Sequence, residues 1–312
     1  MKVCVLGDTG LLGQALVRYA EKNSGPNVLG ISTSPFKGEG SRDSGEMYQH
    51  ELGDILEEKE EVFDRILKFE PELLINCIAL VDLQACEKNQ TLARQLNVEV
   101  AGTLSAFCCK SEIDFVHISS DQVFSGEQKI PHTEQDTTNP VNFYGQSKLL
   151  AESLILDTNP KALVVRTNFV GFRDVPGRPT FAEWLFQALM TGEKIMLFED
   201  YVTSSIHVDF LSQLIFEAHQ MRVRGLWHLA SHDAVSKYRF GEMLARESEL
   251  DFSHVSKGRL KGSGLKPDRP PYLALDVSRA ERRFGAVFSD VLDTIKKLCS
   301  DHRLRVKAAH HA

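Results

Sequence analysis

Short apolar runs alternate with amphipathic segments along the first half of the chain. The runs "KVCVL", "NVLGIS", "ELLINC" and "IDFVHIS" have the composition of strands. The segments "LLGQALVRYAEK", "EEVFDRILKFE" and "TLARQLNVEVAGTLSAFCC", which lie among them, have the composition and spacing of helices. Strands that alternate with helices imply right-handed crossovers and a parallel sheet buried on both faces. The pattern therefore predicts a doubly wound α/β fold.

The alternation persists as far as "ALVVRT" and becomes irregular from about residue 172. We predict a dinucleotide-binding domain over residues 1–171, a smaller α/β lobe over 172–302 that interleaves with the end of the sheet, and a disordered basic tail over 303–312. The prolines of "LKPDRPPYLALD" preclude regular structure there. The stretch "STSPFKGEGSRDSGE" is rich in Gly and Ser and is predicted to be a mobile surface loop.

Composition and charge exclude several classes of protein. The chain is 42% hydrophobic and 25% charged, and its formal net charge of −7 argues against a nucleic-acid binder. No apolar run approaches the roughly 20 residues of a membrane span, and "MKVCVLGDTG" enters a strand directly, so we expect a cytoplasmic protein. The six cysteines lack the spacing of a disulfide scaffold. His228 and His232 lie four residues apart without a third ligand, so no metal site is predicted.

Three glycines lie directly between the first strand and the first helix. "VLGDTGLLG" contains Gly7, Gly10 and Gly13. Glycines at such a junction let the backbone turn tightly and approach a pyrophosphate, whose charge is stabilised by the helix N-terminus. A merely tight turn is the alternative. The position at the first β–α junction favours a dinucleotide site and hence a Rossmann domain.

The end of the second strand indicates which dinucleotide is bound. An NAD enzyme places a carboxylate there to bind the ribose 2′-hydroxyl, whereas this chain has hydroxyl groups at Ser32–Ser34, with Lys37 and Arg42 nearby. Hydroxyls and cations suit a 2′-phosphate, so NADP(H) is predicted. Asp54 could accept a hydrogen bond from the adenine amino group, or it could cap a helix.

A tyrosine and a lysine lie one helical turn apart in "NFYGQSKLLAE". Tyr144 and Lys148 would share one face of a helix. A tyrosine with a pKa near 10 is a poor acid at neutral pH, but a neighbouring ammonium lowers that pKa. A chance surface pair is the alternative. Upstream, "FVHISSDQVFSG" presents Ser120 at the end of a strand, where ligands bind in parallel sheets. Together, serine, tyrosine and lysine predict an acid catalyst that protonates a carbonyl oxygen.

Six motifs together resemble those of the extended short-chain dehydrogenase/reductases. They are "GDTGLLG", "INCIALVDLQACEKN" with "LNVEVAGT", "ISSDQVFSG", "NPVNFYGQSKLLAE", "VVRTNFVG" and "HLAS". Most closely the chain resembles the dTDP-4-dehydrorhamnose reductase branch, the RmlD-like substrate-binding domain family. The similarity covers nearly the whole chain and is weakest over 172–200 and beyond 285.

The resemblance implies hydride delivery from NADPH to the C4 ketone of a nucleotide-linked 4-keto-6-deoxysugar. It implies a catalytic triad of Ser120, Tyr144 and Lys148, and it allows a homodimer. The residues expected at the cofactor are Gly7, Thr9, Gly10, Leu11, Leu12, Gly13, Ser32, Thr33, Ser34, Asp54, Ile55, Cys77, Ile78, Ala79, Leu80, Tyr144, Lys148, Thr167 and Asn168. The residues expected at the substrate are Val81, Ser120, Asp121, Gln122, Phe169, Trp184 and Arg269.

Two departures from the branch concern the sugar. Gln122 and Phe169 stand where these reductases usually carry a tyrosine and a tryptophan. The branch also includes the regulatory subunit of methionine adenosyltransferase, so a binding module that keeps NADP as a structural ligand is an alternative. A related epimerase is another. Dehydration is disfavoured, because dehydratases usually carry an acidic pair where Asp121 is followed by Gln122.

Two aromatic residues of the lobe have two interpretations. Phe181 and Trp184 lie three residues apart on one predicted helix. They could present an aromatic wall to a base or a sugar. Alternatively, both belong to the core, as large aromatic side chains usually do.

Overall fold

The computed structural model describes residues 1–24, 27–34, 48–174 and 177–309. Its strands are β1 (Val3–Leu6), β2 (Val28–Ser32), β3 (Tyr48–Leu52), β4 (Leu73–Asn76), β5 (Asp114–Ile118), β6 (Leu163–Arg166), β7 (Phe169–Val170), β8 (Ile195–Phe198), β9 (Val202–Thr203), β10 (Ile206–His207), β11 (Gly225–His228), β12 (Val235–Ser236), β13 (Val255–Gly258) and β14 (Tyr272–Leu273). Its helices are α1 (Leu11–Ser24), α2 (Lys59–Phe69), α3 (Leu83–Lys88), α4 (Gln90–Arg94), α5 (Val100–Lys110), α6 (Phe143–Thr158), α7 (Phe181–Thr191), α8 (Val208–Gln220), α9 (Lys237–Ser248), α10 (Ser278–Phe284) and α11 (Val291–Ala309). None of these helices combines the length and the apolar composition that a bilayer span requires.

Seven parallel strands form the main sheet, in the order β11-β6-β5-β4-β1-β2-β3. Strands β1, β2, β4 and β6 are buried at every residue, because helices cover both faces of the sheet. The direction in which strands are added reverses between β1 and β4, and ligands bind at the carboxyl ends of the strands beside such a point. The predicted doubly wound fold is confirmed.

Two hydrophobic cores hold the helices against the sheet. On one face, α1 and α8 bury apolar side chains such as Leu16 and Phe216 against the strands. On the other face, α2, α5 and α6 do the same with side chains such as Ile66 and Leu104. Burial of this apolar surface supplies the main free energy that fixes the helices relative to the strands.

The lobe has a core of its own. Helices α7, α9 and α11 pack with strand β8 around buried side chains such as Phe186, Phe240 and Ile295. A small sheet, in the order β12-β9-β14, lies beside this core. Helix α8 and strand β11 also follow residue 172 but pack with the main sheet, so the chain passes between lobe and sheet more than once.

Two parts of the chain differ from the sequence-based expectation. Strand β3 was not predicted, because "YQHEL" is polar and lies at the edge of the sheet, with no buried residue.

The predicted disordered tail is wrong for residues 303–309, since α11 extends to Ala309. The Arg305 guanidinium donates to the carbonyl of Arg173 at 2.8 Å and pairs with Asp174, which ties this turn of α11 to the lobe. Residues 310–312, and most of the predicted mobile loop (residues 35–46 of 32–46), lie outside the described residues.

Candidate active site

The glycine turn after β1 is tight, and each glycine has a different reason to lack a side chain. Gly7 has a φ of +80°, which favours glycine. A Cβ at Gly13 would overlap the carbonyl oxygen of Gly7, so α1 can begin only if residue 13 is glycine. A Cβ at Gly10 would meet only the Gly7 oxygen, at 3.1 Å. Packing within the protein therefore does not require glycine at position 10, whereas the approach of a pyrophosphate would.

A buried carboxylate within the turn was missed in the sequence. Asp8 is fully buried, accepts a hydrogen bond from the Tyr48 hydroxyl, and lies 2.7 Å from Nδ1 of His50. A Cβ at Gly30 would overlap the Asp8 carboxylate, so the glycine in the middle of β2 makes room for it. A glycine inside an apolar strand was the available signal. Asp8 thus ties the turn to the edge strand β3.

The ribose end of the predicted site is only partly described. Ser32 is buried and donates to the carbonyl of Ser34 at 2.9 Å, while Thr33 and Ser34 are exposed. Asp54 accepts a hydrogen bond from the backbone of Leu56 at 2.9 Å, as a capping residue does. Ile55 and Leu12 are buried, so contact with a cofactor would fall to their backbone. Lys37 and Arg42 lie outside the described residues.

The loop after β4 is held by an asparagine that the sequence analysis did not single out. Asn97, buried in a π-helical turn (Gln95–Glu99), accepts from the Leu80 amide at 2.7 Å and donates to the Leu80 carbonyl at 3.1 Å. It also donates to Ser147 on α6 at 2.9 Å. Cys77 donates its amide to the Leu6 carbonyl at 2.9 Å. The predicted cofactor segment 77–80 therefore runs beside the glycine turn in a fixed conformation.

The start of α6 brings Tyr144 to the end of β5. Asn142 caps the helix by accepting from the Gly145 amide at 2.9 Å. A Cβ at Gly145 would overlap the carbonyl oxygen of Gln122, so only glycine lets α6 approach the turn after β5 this closely. Ser120 lies close enough to the Tyr144 hydroxyl to oppose the rise of its pKa. The structure thus brings the predicted serine and tyrosine together.

Lys148 lies on the same face of α6 but has a different partner. Its Nζ donates to the carbonyl of Ile118 at 2.8 Å. Burial lowers the pKa of Lys148 to about 8, against the opposing effects of Cys77 and Glu152. Burial also raises the pKa of Tyr144, and the nearby Ser120 opposes this shift. The expectation that Lys148 lowers the tyrosine pKa is wrong for this structure, because desolvation of the phenol dominates.

Polar groups from the sheet and from the lobe meet beside Tyr144. Asp121 accepts from Asn168 at 2.8 Å and from Ser120 at 3.2 Å, and burial raises its pKa to about 7. Gln122 donates to the hydroxyl of Tyr201, a lobe residue, at 3.3 Å. The predicted substrate residues Asp121 and Gln122 therefore lie between the catalytic pair and the lobe. Tyr201 lies beside them, although no sequence motif predicted it.

The remaining predicted residues are spread around this centre. Thr167 is buried, and its hydroxyl has no hydrogen-bond partner among the described residues. Phe169 is half-buried and packs against the first core, whereas Val81 is 61% exposed. Burial raises the pKa of Tyr201 to about 12, and the nearby charge of Arg269 opposes this rise.

The rings of Phe181 and Trp184 have centroids 6.0 Å apart, but their surroundings differ. Phe181 is half-buried and packs against Phe240, with ring centroids 5.7 Å apart. Trp184 is 37% exposed and lines a cavity of about 550 Å³ with Arg173, Asp174, Gly177, Pro179, Glu183 and Gln187. Because more than a third of its side chain is exposed, the interpretation of Trp184 as a core residue is wrong.

The histidines singled out in the sequence do not share a ligand. His228 is buried and lies edge-on to Phe124, whereas His232 pairs with Glu281 at 2.7 Å. Another group, formed by His207, Asp209 and Asp301, has donor atoms within 4.8 Å of one another. The Lys297 ammonium lies 2.8 Å from Asp209 and 2.6 Å from Asp301, so a protein cation already balances these carboxylates.

Known proteins are similar to this chain over most of its length. The family model described as RmlD substrate binding domain matches residues 1–303. The probable low-salt glycan biosynthesis reductase Agl14 of Haloferax volcanii is 30% identical over 97% of this chain and 99% of its own. Methionine adenosyltransferase 2 subunit beta of Danio rerio is 27% identical over 90% of this chain and 84% of its own.

A solved structure gives the same fold. The dTDP-4-dehydrorhamnose reductase of Bacillus anthracis, solved in complex with NADP, superimposes with a TM-score of 0.79 at 20% identity over 96% of this chain and 100% of its own. The chain therefore belongs to the RmlD substrate binding domain family, among the NAD(P)-dependent oxidoreductases of the extended short-chain dehydrogenase/reductase type.

Proposed function

We propose that the protein reduces the C4 ketone of a nucleotide-linked 4-keto-6-deoxysugar with NADPH. The observation that carries this proposal is the placement of Ser120 beside Tyr144 at the carboxyl end of β5, with Lys148 one helical turn further along α6. A hydroxyl pair at this place can hold a carbonyl oxygen and protonate it. The relatives named as reductases support the same reaction class.

The described residues fit a dinucleotide. A Cβ at Gly10 would meet no side chain and only the Gly7 carbonyl oxygen, the first amides of α1 can bind a pyrophosphate, and the Thr167 hydroxyl, unpartnered among the described residues, can accept or donate a hydrogen bond. Ser32–Ser34 supply hydroxyls rather than a carboxylate at the end of β2, which favours NADPH over NADH. When bound, NADPH supplies the hydride.

The chain's own residues handle the proton. Tyr144 carries its proton at neutral pH, because an unperturbed phenol already titrates near 10 and burial raises this pKa further. Ser120 orients the substrate carbonyl toward that hydroxyl. Lys148 fixes the end of β5 by donating to the Ile118 carbonyl at 2.8 Å.

The substrate requires a cation for its diphosphate, and Arg269 can supply it. In the described part of the chain, this guanidinium forms no ion pair with a carboxylate, and it lies near Tyr201 at the edge of the cleft. A guanidinium matches the geometry of phosphate oxygens. We therefore assign the diphosphate of the nucleotide sugar to the loop that precedes β14.

The experiment is a spectrophotometric assay. Purified protein is mixed with NADPH and a panel of nucleotide-linked 4-keto-6-deoxysugars, and nicotinamide absorbance is followed. We expect oxidation of NADPH with at least one sugar and a lower rate with NADH at equal concentration. Absence of NADPH oxidation with every sugar contradicts the proposal.

The relative named as a methionine adenosyltransferase subunit favours a second candidate, a regulatory subunit that binds NADP. This candidate predicts NADP binding without turnover of any sugar, together with a complex with a methionine adenosyltransferase catalytic subunit. Size-exclusion chromatography of the two purified proteins tests for the complex. A stable complex without sugar reduction would support this second function over the first.

A further inference from the structure

The lobe contributes a lysine to the cleft that neither the sequence motifs nor the proposed reaction uses. Lys237 is the first residue of α9, and its backbone amide donates to the Tyr201 carbonyl at 2.9 Å. Its Nζ donates to the hydroxyls of Thr203 at 3.0 Å and Ser205 at 3.4 Å. The ammonium also lies 4.8 Å from the ring centroid of Phe181 and 5.6 Å from that of Tyr201. Two hydroxyls and two rings thus hold the ammonium in one place.

The carboxylate that acts on the charge of Lys237 is not in direct contact with its ammonium. Among the described residues it has no carboxylate within 4.0 Å. Asp121 is the carboxylate that influences it electrostatically, and this carboxylate is itself bonded to Asn168 and Ser120. Burial lowers the pKa of Lys237 to about 8 while Asp121 opposes the shift, so the lysine is mostly charged at neutral pH.

One hydrogen-bonded network runs from Lys237 toward the proposed acid. From Lys237 it passes to Ser205, which donates to Asn168 at 2.8 Å. Asn168 donates to Asp121, and Asp121 accepts from Ser120, the neighbour of Tyr144. The lysine and the tyrosine therefore lie at the two ends of one continuous run of polar side chains.

We propose that the Lys237 ammonium donates a hydrogen bond to a ring hydroxyl of the bound sugar and thereby selects sugars that carry this hydroxyl. Two of its three N–H groups are directed to Thr203 and Ser205, and the third has no hydrogen-bond partner among the described residues. The occupant is a neutral oxygen rather than a carboxylate, because Asp121 already balances the lysine and would repel a second negative charge. This inference rests on the proposed function.

The test measures binding rather than turnover. The complex with NADP⁺ is titrated in a calorimeter with a dTDP-linked 6-deoxyhexose, with its 2-deoxy and 3-deoxy analogues, and with dTDP alone. Native protein should bind the full sugar roughly 10- to 100-fold more tightly than one of the deoxy analogues, the effect of losing a hydrogen bond to a charged group. Lys237→Met should bind the two equally, and its affinity for dTDP should be unchanged.

Control variants separate the lysine's role from a general loss of structure. Lys257→Met removes another lysine that faces a ring, with its Nζ 4.7 Å from the Tyr238 ring centroid, but this lysine is exposed on β13, so native discrimination should remain. Lys237→Gln retains a donor and should retain part of the discrimination. Unchanged thermal unfolding would show that each variant is folded.

Two results would overturn the assignment of Lys237. One is discrimination by Lys237→Met equal to that of native protein. The other is native protein that binds every deoxy analogue as tightly as the full sugar. Neither depends on catalysis, so they differ from failure of the proposed function, which is absence of NADPH oxidation with every 4-keto sugar.

Discussion

The sheet side and the lobe side of the candidate site each place a lysine near a tyrosine, yet they are built differently. On the sheet side, Tyr144 and Lys148 lie one turn apart on α6, so a single helix positions both. On the lobe side, Tyr201 and Lys237 are 36 residues apart and meet because β12 pairs with β9. Burial lowers the pKa of both lysines to about 8.

This difference separates chemistry from selectivity. The sheet side depends on local geometry, which tolerates changes elsewhere in the chain. The lobe side depends on short strands of two residues each, β9, β12 and β14, whose positions can shift with the loops around them. Members of a family that share one reaction but act on different sugars can therefore differ in the lobe, while α6 and the glycine turn stay the same.

The largest expected effect comes from the glycine turn. Gly10→Val places a side chain where the pyrophosphate approaches, so NADPH binding and all turnover should be lost. The protein should remain folded, because a Cβ at residue 10 meets only the Gly7 oxygen. Gly13→Val is the contrasting variant and should lower the melting temperature, since its Cβ overlaps the Gly7 carbonyl. Calorimetry with NADPH and thermal unfolding measure both effects. Normal NADPH binding by Gly10→Val would show that the cofactor does not lie on this turn.

The next effect distinguishes the two tyrosines. Tyr144→Phe removes the proposed acid and should lower kcat by about 10²–10⁴-fold while NADPH affinity stays almost native. Tyr201→Phe removes a hydroxyl on the lobe side and should raise KM more than it lowers kcat. Steady-state kinetics with NADPH and a reducible sugar measure both. A native rate for Tyr144→Phe would show that α6 does not supply the acid.

Stability as a function of pH sharpens the comparison of the lysines. The pKa of Lys148 is about 8 in the folded state, against 10.5 for an unperturbed lysine, so between these values the unfolded chain binds more protons and stability rises with pH. Relative to Lys148→Met, native protein should therefore gain up to about 3 kcal/mol of unfolding free energy over this interval. Urea titrations of both proteins at pH 8 and pH 10.5 measure it. A constant difference between the two would contradict the depressed pKa.

The smallest effect concerns Trp184. Because its side chain is 37% exposed, Trp184→Ala should reduce unfolding stability by no more than about 1 kcal/mol. If it borders the sugar or base, as we predict, affinity for the nucleotide sugar should fall several-fold, as expected for the loss of an aromatic contact worth about 1 kcal/mol. Trp227→Ala is the matched control, since Trp227 is only 9% exposed and its loss should cost about 3–5 kcal/mol. Native sugar affinity for Trp184→Ala would place it outside the site.

The sequence predicted the parts of the molecule that short-range patterns specify. Hydrophobic periodicity predicted the sheet, the first β–α junction predicted the glycine turn, and the spacing of Tyr144 and Lys148 predicted their shared face. The spacing could not predict how Lys148 affects the pKa of Tyr144. Lys148 is directed to the carbonyl of Ile118, and burial dominates the pKa values of both residues.

Features that depend on distant contacts could not be predicted. Strand β3 has a polar sequence and exists as a strand because it pairs with β2. The last turns of α11 are held by Arg305 against residues more than 130 positions earlier. Lys237 lies in "SKYRF", an ordinary amphipathic helix start, and only the fold brings it to Thr203 and Ser205.

The cluster of Asp8, Gly30, Tyr48 and His50 has a practical consequence for protein engineering. Coenzyme preference is often altered by exchanging the end of β2 and the loop that follows it. Here any side chain at position 30 would displace the Asp8 carboxylate from its partners on β3. A transplanted β2–β3 segment would therefore have to keep Gly30, Tyr48 and His50 together as partners of Asp8, and grafts that lack one of the three should yield protein that aggregates before its coenzyme preference can be measured.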